Sequence, residues 1–327
     1  MRRVGAGGAV IVTVTPNPSV DRTATLEDFR RGEVLRATSV RLDPGGKGVN
    51  VARALAAAGT PTVALLPAGG PEGDRLAELL APEGVPVVAV PISGSTRSNI
   101  ALVEPDGTTT KINEPGPVLS AFELAAVEAR AAQLARRAEW LVCCGSLPRG
   151  VPTDFYARLV RLAHEAGAKV AVDSSGQTLA EACAEQPDLV KPNLDELVEL
   201  AGHPLPRLGD VLDFCRALVG GGVGAVLVSL GADGALLVDR RNAWHAIGPV
   251  VEVRSTVGAG DAALAGFLHA GARGEHALRT AVAYGTAAVS LEGSRMPLPK
   301  DVRTDEVRRV DVDESLNLSG AAAWTPN

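Results

Sequence analysis

Two hydrophobic rhythms take turns along this chain. Short, unbroken apolar runs stand between segments whose apolar residues recur every three to four positions. The runs are "AVIVTVT" at 9–15, "TVALL" at 62–66, "VPVVAV" at 85–90, "WLVCC" at 140–144, "AKVAVD" at 168–173, "DLVKP" at 188–192 and "AVLVSL" at 225–230. A run with no polar alternation predicts a strand covered on both faces. Helical spacing marks "KGVNVARALAAAG" at 47–59, "GDRLAELLA" at 73–81 and "SAFELAAVEARAAQLARR" at 120–137. In the last of these, Ser120 and Glu123 have the spacing of a capping box. Helical segments between most of the runs predict an α/β chain with a mainly parallel sheet and helices on both faces.

Two segments break the rhythm. "TATLEDFRRGEVLRATSVRL" and "TRSNIALVEPDGTTTKI" mix polar with β-branched residues, and Pro105-Asp106-Gly107 is a hairpin turn signal. They predict a small half-exposed sheet over residues 22–42 and 96–112, beside the main one. The expected organisation is one α/β domain over residues 1–300 and a loose tail over 301–327, where periodicity is weak.

The opening "MRRVGAGGAVIVTV" has the two arginines and apolar run of a leader. The run is short and β-branched and is followed by "PNPS", so it reads as a first buried strand. No stretch approaches the length of a membrane span, so no membrane partner is expected. The 327 residues carry a formal charge of −6, which leaves no basic footprint for nucleic acid. Cys143, Cys144, Cys183 and Cys215 lack C-x-x-C spacing, as reduced thiols of a cytoplasmic protein would. Five scattered histidines give no zinc motif.

The candidate chemistry lies where runs end. "STVGAGDAALAGF" places Gly258, Ala259 and Gly260 before Asp261 at the start of an apolar helix. Small residues there leave backbone N–H groups open to an anion. The plainer reading is a helix start with an acidic first turn. "DPGGKGVNVARAL" puts Gly45 and Gly46 at a second helix start, with Lys47 and Asn50 in its first turns. This is a tight turn, or a close backbone approach to a hydroxylated ligand. Asp21 follows the first strand, at the sheet end where ligands bind. "CGSLPRG", "VDSSG" and "VKPNLDEL" end three further runs with small or polar residues, which together make a cleft. Asn193 and Glu196 sit three apart at a helix start, as an N-cap with its glutamate or as a grip on hydrated Mg²⁺. "VSLGADGAL" is a hairpin, or a backbone wall against a nucleotide. "GGGVGA" and "GAGDAA" imitate a dinucleotide fingerprint but lack its strand context or its ribose acid, which disfavours a nicotinamide enzyme.

Together and in order, these motifs resemble the ribokinase-like sugar kinases, in the branch of phosphofructokinases and tagatose-phosphate kinases. The resemblance runs from Thr13 to about Arg295. "GGKGVNVAR" and "STVGAGD" match the two signature regions of the family, and "KPNLDEL" its magnesium motif. "TKINEPGP", "GSLPRGVP", "DSSG" and "SLGADGAL" match the phosphofructokinase branch.

The resemblance implies a three-layer α/β/α fold with a β-sheet lid, ATP and Mg²⁺ as cofactors, and a homodimer formed through the lid. It implies Asp261 as general base, with N–H groups at Gly258, Ala259 and Gly260 around the transferring phosphoryl. Lys191 and Thr256 would lie near the nucleotide phosphates. Asn193 and Glu196 would organise Mg²⁺ through water, and Ser229 and Gly231 would line the ATP site. Asp21, Gly45, Gly46, Lys47 and Asn50 would hold the sugar, with Arg97 and Asn99 reaching from the lid to its phosphate. The expected substrate is fructose 1-phosphate, phosphorylated at its 6-hydroxyl. Fructose 6-phosphate and tagatose 6-phosphate are the alternatives, and a non-catalytic sugar sensor is the alternative of a different class.

Overall fold

The computed structural model describes residues 10–319. The first half supplies β1 (Val10–Val14), β2 (Ser19–Thr25), β3 (Ser39–Gly45), α1 (Lys47–Ala57), β4 (Thr62–Ala68) and α2 (Gly70–Leu80). Next come β5 (Val87–Pro91), β6 (Arg97–Val103), β7 (Thr109–Asn113), α3 (Ala121–Ala135) and β8 (Ala138–Cys144). The second half adds α4 (Phe155–Glu165), β9 (Lys169–Asp173), α5 (Gly176–Ala184), β10 (Leu189–Val190), α6 (Leu194–Ala201) and α7 (Leu208–Gly220). It closes with β11 (Ala225–Ser229), β12 (Ala235–Asp239), β13 (Ala243–Ile247), α8 (Ala259–His269), α9 (Gly274–Val289) and β14 (Arg308–Val310).

Ten strands form one sheet in the order β14-β13-β12-β11-β10-β9-β8-β1-β4-β5. From β11 to β5 every pairing is parallel, and β12, β13 and β14 close the other edge antiparallel. The strands are apolar on both faces because both faces are covered. In β8, Leu141 and Cys143 pack into one core with α3, α4 and α7, while Trp140, Val142 and Cys144 pack into another with α1, α8 and α9. Successive side chains point to opposite faces, so one short run feeds two cores. This is the expected ribokinase-like three-layer α/β/α architecture.

The two irregular segments form the predicted small sheet, of order β3-β2-β6-β7. Strand β2 pairs antiparallel with β3 and parallel with β6, which sets Asp21 opposite Asn99. The turn at Pro105–Gly107 joins β6 to β7, with Asp106 Oδ1 accepting from the Thr108 N–H. Strand β7 is exposed along its whole length, and Val34, Val40 and Ile112 are exposed on this sheet and its loop.

The expected tail is not loose in its described part. Strand β14 pairs with β13, Val307 and Leu318 are buried, and Leu208 N–H donates to the Leu316 carbonyl at 2.9 Å. Ser319 then donates twice to Asp233 Oδ2, both at 2.8 Å. Isolated apolar anchors and backbone hydrogen bonds hold this segment, so no periodic face marks it in the sequence. Residues 320–327 of the expected tail and the first nine residues of the chain lie outside the described residues. Among the described residues, no helix is long and apolar enough to cross a membrane. The four cysteines are free, and Cys143, Cys144 and Cys215 are buried.

Candidate active site

The parallel strands β1, β8 and β9 all end at one side of the sheet. Their C-terminal ends and the start of α1 enclose a cavity of about 210 Å³, lined among others by Thr15, Asn17, Lys47, Ser146, Ser174 and Glu196. Arg97 reaches its rim from the small sheet. Thr15 Oγ1 and Asn17 Oδ1 are buried in this region and find no hydrogen-bond partner within the described residues.

Helix α1 begins without a side-chain cap. Gly46 takes φ 113°, a conformation that favours glycine, and lets the chain leave β3 abruptly. A side chain at Gly45 would meet the Asp21 carboxylate at 2.5 Å. Asp21 Oδ1 accepts from Ser19 Oγ at 2.7 Å and from Asn99 Nδ2 at 2.8 Å. The lid register therefore places Asp21 and Asn99 together against the glycine turn. Arg97 donates to the carbonyls of Glu114 and Asn17 at 2.9 and 3.2 Å.

Lys47 is bound inside the protein. Its ammonium lies 2.7 Å from Asp173 Oδ1 and 2.9 Å from Glu196 Oε1. Burial works against its charge, but these two carboxylates prevail and hold its pKa above the usual lysine value. Lys191, also buried, lies 3.0 Å from Asp173 Oδ2. For Asp173 burial opposes ionisation too, and the two ammoniums win, keeping its carboxyl below the usual range. Asp173 was absent from the sequence-derived set. Its signal is an acid that ends a β-branched run in "KVAVD".

Asn193 and Glu196 form a reciprocal cap at the start of α6. Asn193 Oδ1 accepts from the Glu196 N–H at 2.7 Å, and Glu196 Oε2 accepts from the Asn193 N–H at 2.9 Å. The plain N-cap reading is thus realised, and the Lys47 contact adds a charge link to the glycine turn. Ser229 ends β11 beside Asn193 in an isolated bridge, and its N–H donates to the Pro192 carbonyl at 3.2 Å. Gly231 opens the turn that follows, with φ 61°. Among the described residues, no hydrogen bond joins Ser229 or Gly231 to Asp261, whereas Thr256 lies just before the turn that carries it.

Helix α8 starts at Gly258, which takes φ 77° and has no side-chain cap. A Cβ there would come within 2.7 Å of Met296 Cε; at Gly260 it would come within 3.2 Å of Lys191 Nζ. The first-turn N–H groups have no partner four residues back, and only Ala259 N–H reaches an alternative, the Thr256 carbonyl, at a long 3.5 Å. Asp261 lies buried in this turn, with Asn50 Nδ2 donating to its Oδ2 at 2.9 Å. Burial pushes its pKa up to about 6, and the negative charge of Asp173 adds to the rise. The Asn50 hydrogen bond and the charges of Lys47 and Lys191 oppose the rise. The arrangement therefore sets a buried carboxylate with a raised pKa in the uncapped first turn of a helix, one hydrogen bond from Asn50 of the glycine turn.

A mainly parallel sheet covered by helices on both faces, with a separate four-stranded sheet beside it, is the architecture of the ribokinase-like kinases. The profile of pfkB family carbohydrate kinases matches residues 14–301, and the chain belongs to this family. The chain is 39% identical over 295 residues to a 1-phosphofructokinase of Rhodobacter capsulatus, covering 89% of this chain and 93% of that protein. It is 39% identical over 293 residues to the ATP-dependent 6-phosphofructokinase isozyme 2 of Escherichia coli strain K12, covering 88% and 94%. The crystal structure of Escherichia coli phosphofructokinase-2 with substrates and products superposes with a TM-score of 0.85 at 37% identity, covering 90% of this chain and 97% of that one.

Proposed function

We propose that this enzyme transfers the γ-phosphoryl group of ATP to the 6-hydroxyl of fructose 1-phosphate, giving fructose 1,6-bisphosphate and ADP. The observation that carries the kinase chemistry is Asp261, buried at the glycine-flanked start of α8 with a pKa of about 6. A base of that strength is ionised at neutral pH yet still takes a proton readily. The presence of Lys47 in "GGKGVN" and the likeness to 1-phosphofructokinases support the choice of sugar.

Asp261 takes the proton of the acceptor hydroxyl as its oxygen attacks the γ-phosphorus in line. The bond from that phosphorus to the bridging oxygen breaks, and the electron pair leaves with ADP. N–H groups at Gly258, Ala259 and Gly260 hydrogen-bond the equatorial oxygens. Asp21, Asn50, Asn99 and the glycine turn at Gly45 and Gly46 hold the sugar, and Arg97 meets its phosphate. Lys191 and Thr256 face the nucleotide phosphates, with Ser229 and Gly231 along the nucleotide.

The donor set at α6 fits a hydrated Mg²⁺. The carboxylate oxygens of Glu196 already accept from Lys47 and the Asn193 N–H, which leaves lone pairs for water more readily than for direct ligation. Bound with ATP, Mg²⁺ would neutralise phosphate charge.

The exposed β7 and the apolar Val40 and Ile112 support a homodimer through the small sheet. The free thiols fit a cytoplasmic location.

The second reading, transfer to the 1-hydroxyl of fructose 6-phosphate, is favoured by the similarity to the Escherichia coli isozyme. Both reactions give the same bisphosphate, so kinetics must separate them. A coupled assay with fructose 1-phosphate, fructose 6-phosphate and tagatose 6-phosphate should give the highest kcat/KM for the first. A tenfold advantage for fructose 6-phosphate, about 1.4 kcal/mol of transition-state preference, overturns the assignment of sugar.

A further inference from the structure

Arg53 is an almost fully buried arginine, 5% exposed, lying one turn along α1 from Asn50. Its guanidinium makes five hydrogen bonds. Two go to Glu83, from Nε at 2.7 Å and from the second terminal nitrogen at 2.9 Å. The other terminal nitrogen donates to the Pro44 carbonyl at 3.3 Å, the Ser294 carbonyl at 2.9 Å and Asn50 Oδ1 at 3.2 Å.

The last of these has a chemical consequence. An arginine can only donate, so the Asn50 atom facing it must be the amide oxygen. The amide nitrogen then faces the other way, onto Asp261 Oδ2. Were the amide turned over, its nitrogen would meet the guanidinium donors, and its oxygen would meet the carboxylate. Both contacts would be repulsive. A continuous chain thus runs from Glu83 through Arg53 and Asn50 to Asp261.

Building on the reading of Asp261 as the base, we propose that Arg53, held by Glu83, is a positioning residue that fixes the Asn50 amide with its donor on Asp261. The donor favours the ionised carboxylate, which burial and Asp173 disfavour. Lys47 and Lys191 are the cations that also favour it, and the buried thiol of Cys144 is a further titratable group in its field. The hydrogen bonds of Arg53 reach Asp261 through Asn50 and pass through neither lysine. Arg53 also ties the end of β3 to the 291–297 loop, whose Met296 abuts Gly258.

The test is the pH profile of kcat/KM in the intact enzyme. Loss of one charge-assisted donor should raise the pKa of the base by about one unit. Arg53→Met should therefore move the acid limb up by about one pH unit, with a smaller rise in Glu83→Gln. Glu83 is at the surface, so its variant remains informative if Arg53→Met does not fold. Combined with Asn50→Ala, Glu83→Gln should add no further loss in kcat/KM, because its route to the base is already cut. An unmoved acid limb in both single variants, or additive losses in the double variant, overturns the inference. Asp261→Asn separates the two ideas. Retained turnover there removes the base reading and the inference with it; lost turnover with an unmoved limb removes the inference alone.

Discussion

Asn50 Nδ2 lies 2.9 Å from Asp261 Oδ2, although 211 positions separate the two residues. This contact joins the two glycine motifs, one at the start of α1 and one at the start of α8. Asp261→Asn keeps the shape of the pair and removes the base. ATP binding should persist while turnover falls by roughly 10²–10⁴-fold. Calorimetric titration with nucleotide beside a steady-state assay checks both halves.

The pKa of Asp261 sets a pH window. With a folded-state pKa of about 6, kcat/KM should fall about tenfold per pH unit below pH 6 as the base takes up a proton. Stability should run the other way. The folded-state value lies above the ordinary carboxyl value of 3.8, so the folded protein binds the extra proton between these limits. The contribution of Asp261 to stability is fully present below pH 3.8 and is lost as pH rises through about 6. Asp261→Asn should thus melt a few degrees above wild type at pH 8, and the gap should close towards pH 4. A Tm series across pH in the two proteins decides it.

Lys47 links the glycine turn to Asp173 and Glu196. Lys47→Gly should lower kcat/KM for fructose 1-phosphate at least about tenfold, and that for fructose 6-phosphate less. Equal losses for both sugars would confine Lys47 to holding the two carboxylates.

Gly258 and Gly260 should differ in tolerance. Gly258→Ala adds a Cβ at φ 77° and places it 2.7 Å from Met296 Cε, whereas Gly260→Ala meets only the flexible end of Lys191 at 3.2 Å. The strain at Gly258 is about 1 kcal/mol before any clash. Activity should therefore fall much further in Gly258→Ala, and Met296→Ala should restore only part of it.

If the small sheet pairs two subunits, Ile112→Glu should release monomers. Sedimentation at micromolar concentration should show a dimer for wild type and a lighter species for the variant. A fully active wild-type monomer would count against the pairing.

The parallel part of the sheet was legible because β1, β4, β5, β8, β9, β10 and β11 lie in unbroken apolar runs, and α1, α2 and α3 in periodic segments. Ser120 and Glu123 form the capping box that their spacing predicts. Even β10 left its mark, although it holds only Leu189 and Val190. The small sheet showed itself through polar alternation and the Pro105–Gly107 turn. The charge network did not. Asp173 meets Lys47 across 126 positions, and nothing local to either residue announces the other. Arg53 stood in plain view in "GGKGVNVAR", but its partners Glu83 and Ser294 come from 30 and 241 positions away. The segment up to Ser319 escaped because its anchors, Val307, Leu316 and Leu318, have no common period.

The distance in sequence between Asn50 and Asp261 also sets a schedule for synthesis. A ribosome adding about 5–20 residues per second needs on the order of 10–40 s to travel from one to the other. Throughout that interval Asn50 is made but its carboxylate is not, and Arg53 awaits the Ser294 carbonyl longer still. Strand β1 can pair with β4 early, yet its other neighbour, β8, arrives only after residue 138. No nascent chain that stops short of α8 carries Asp261 beside the glycine turn of α1. On the proposed reading of Asp261, phosphoryl transfer cannot begin before α8 has been made and has joined the sheet.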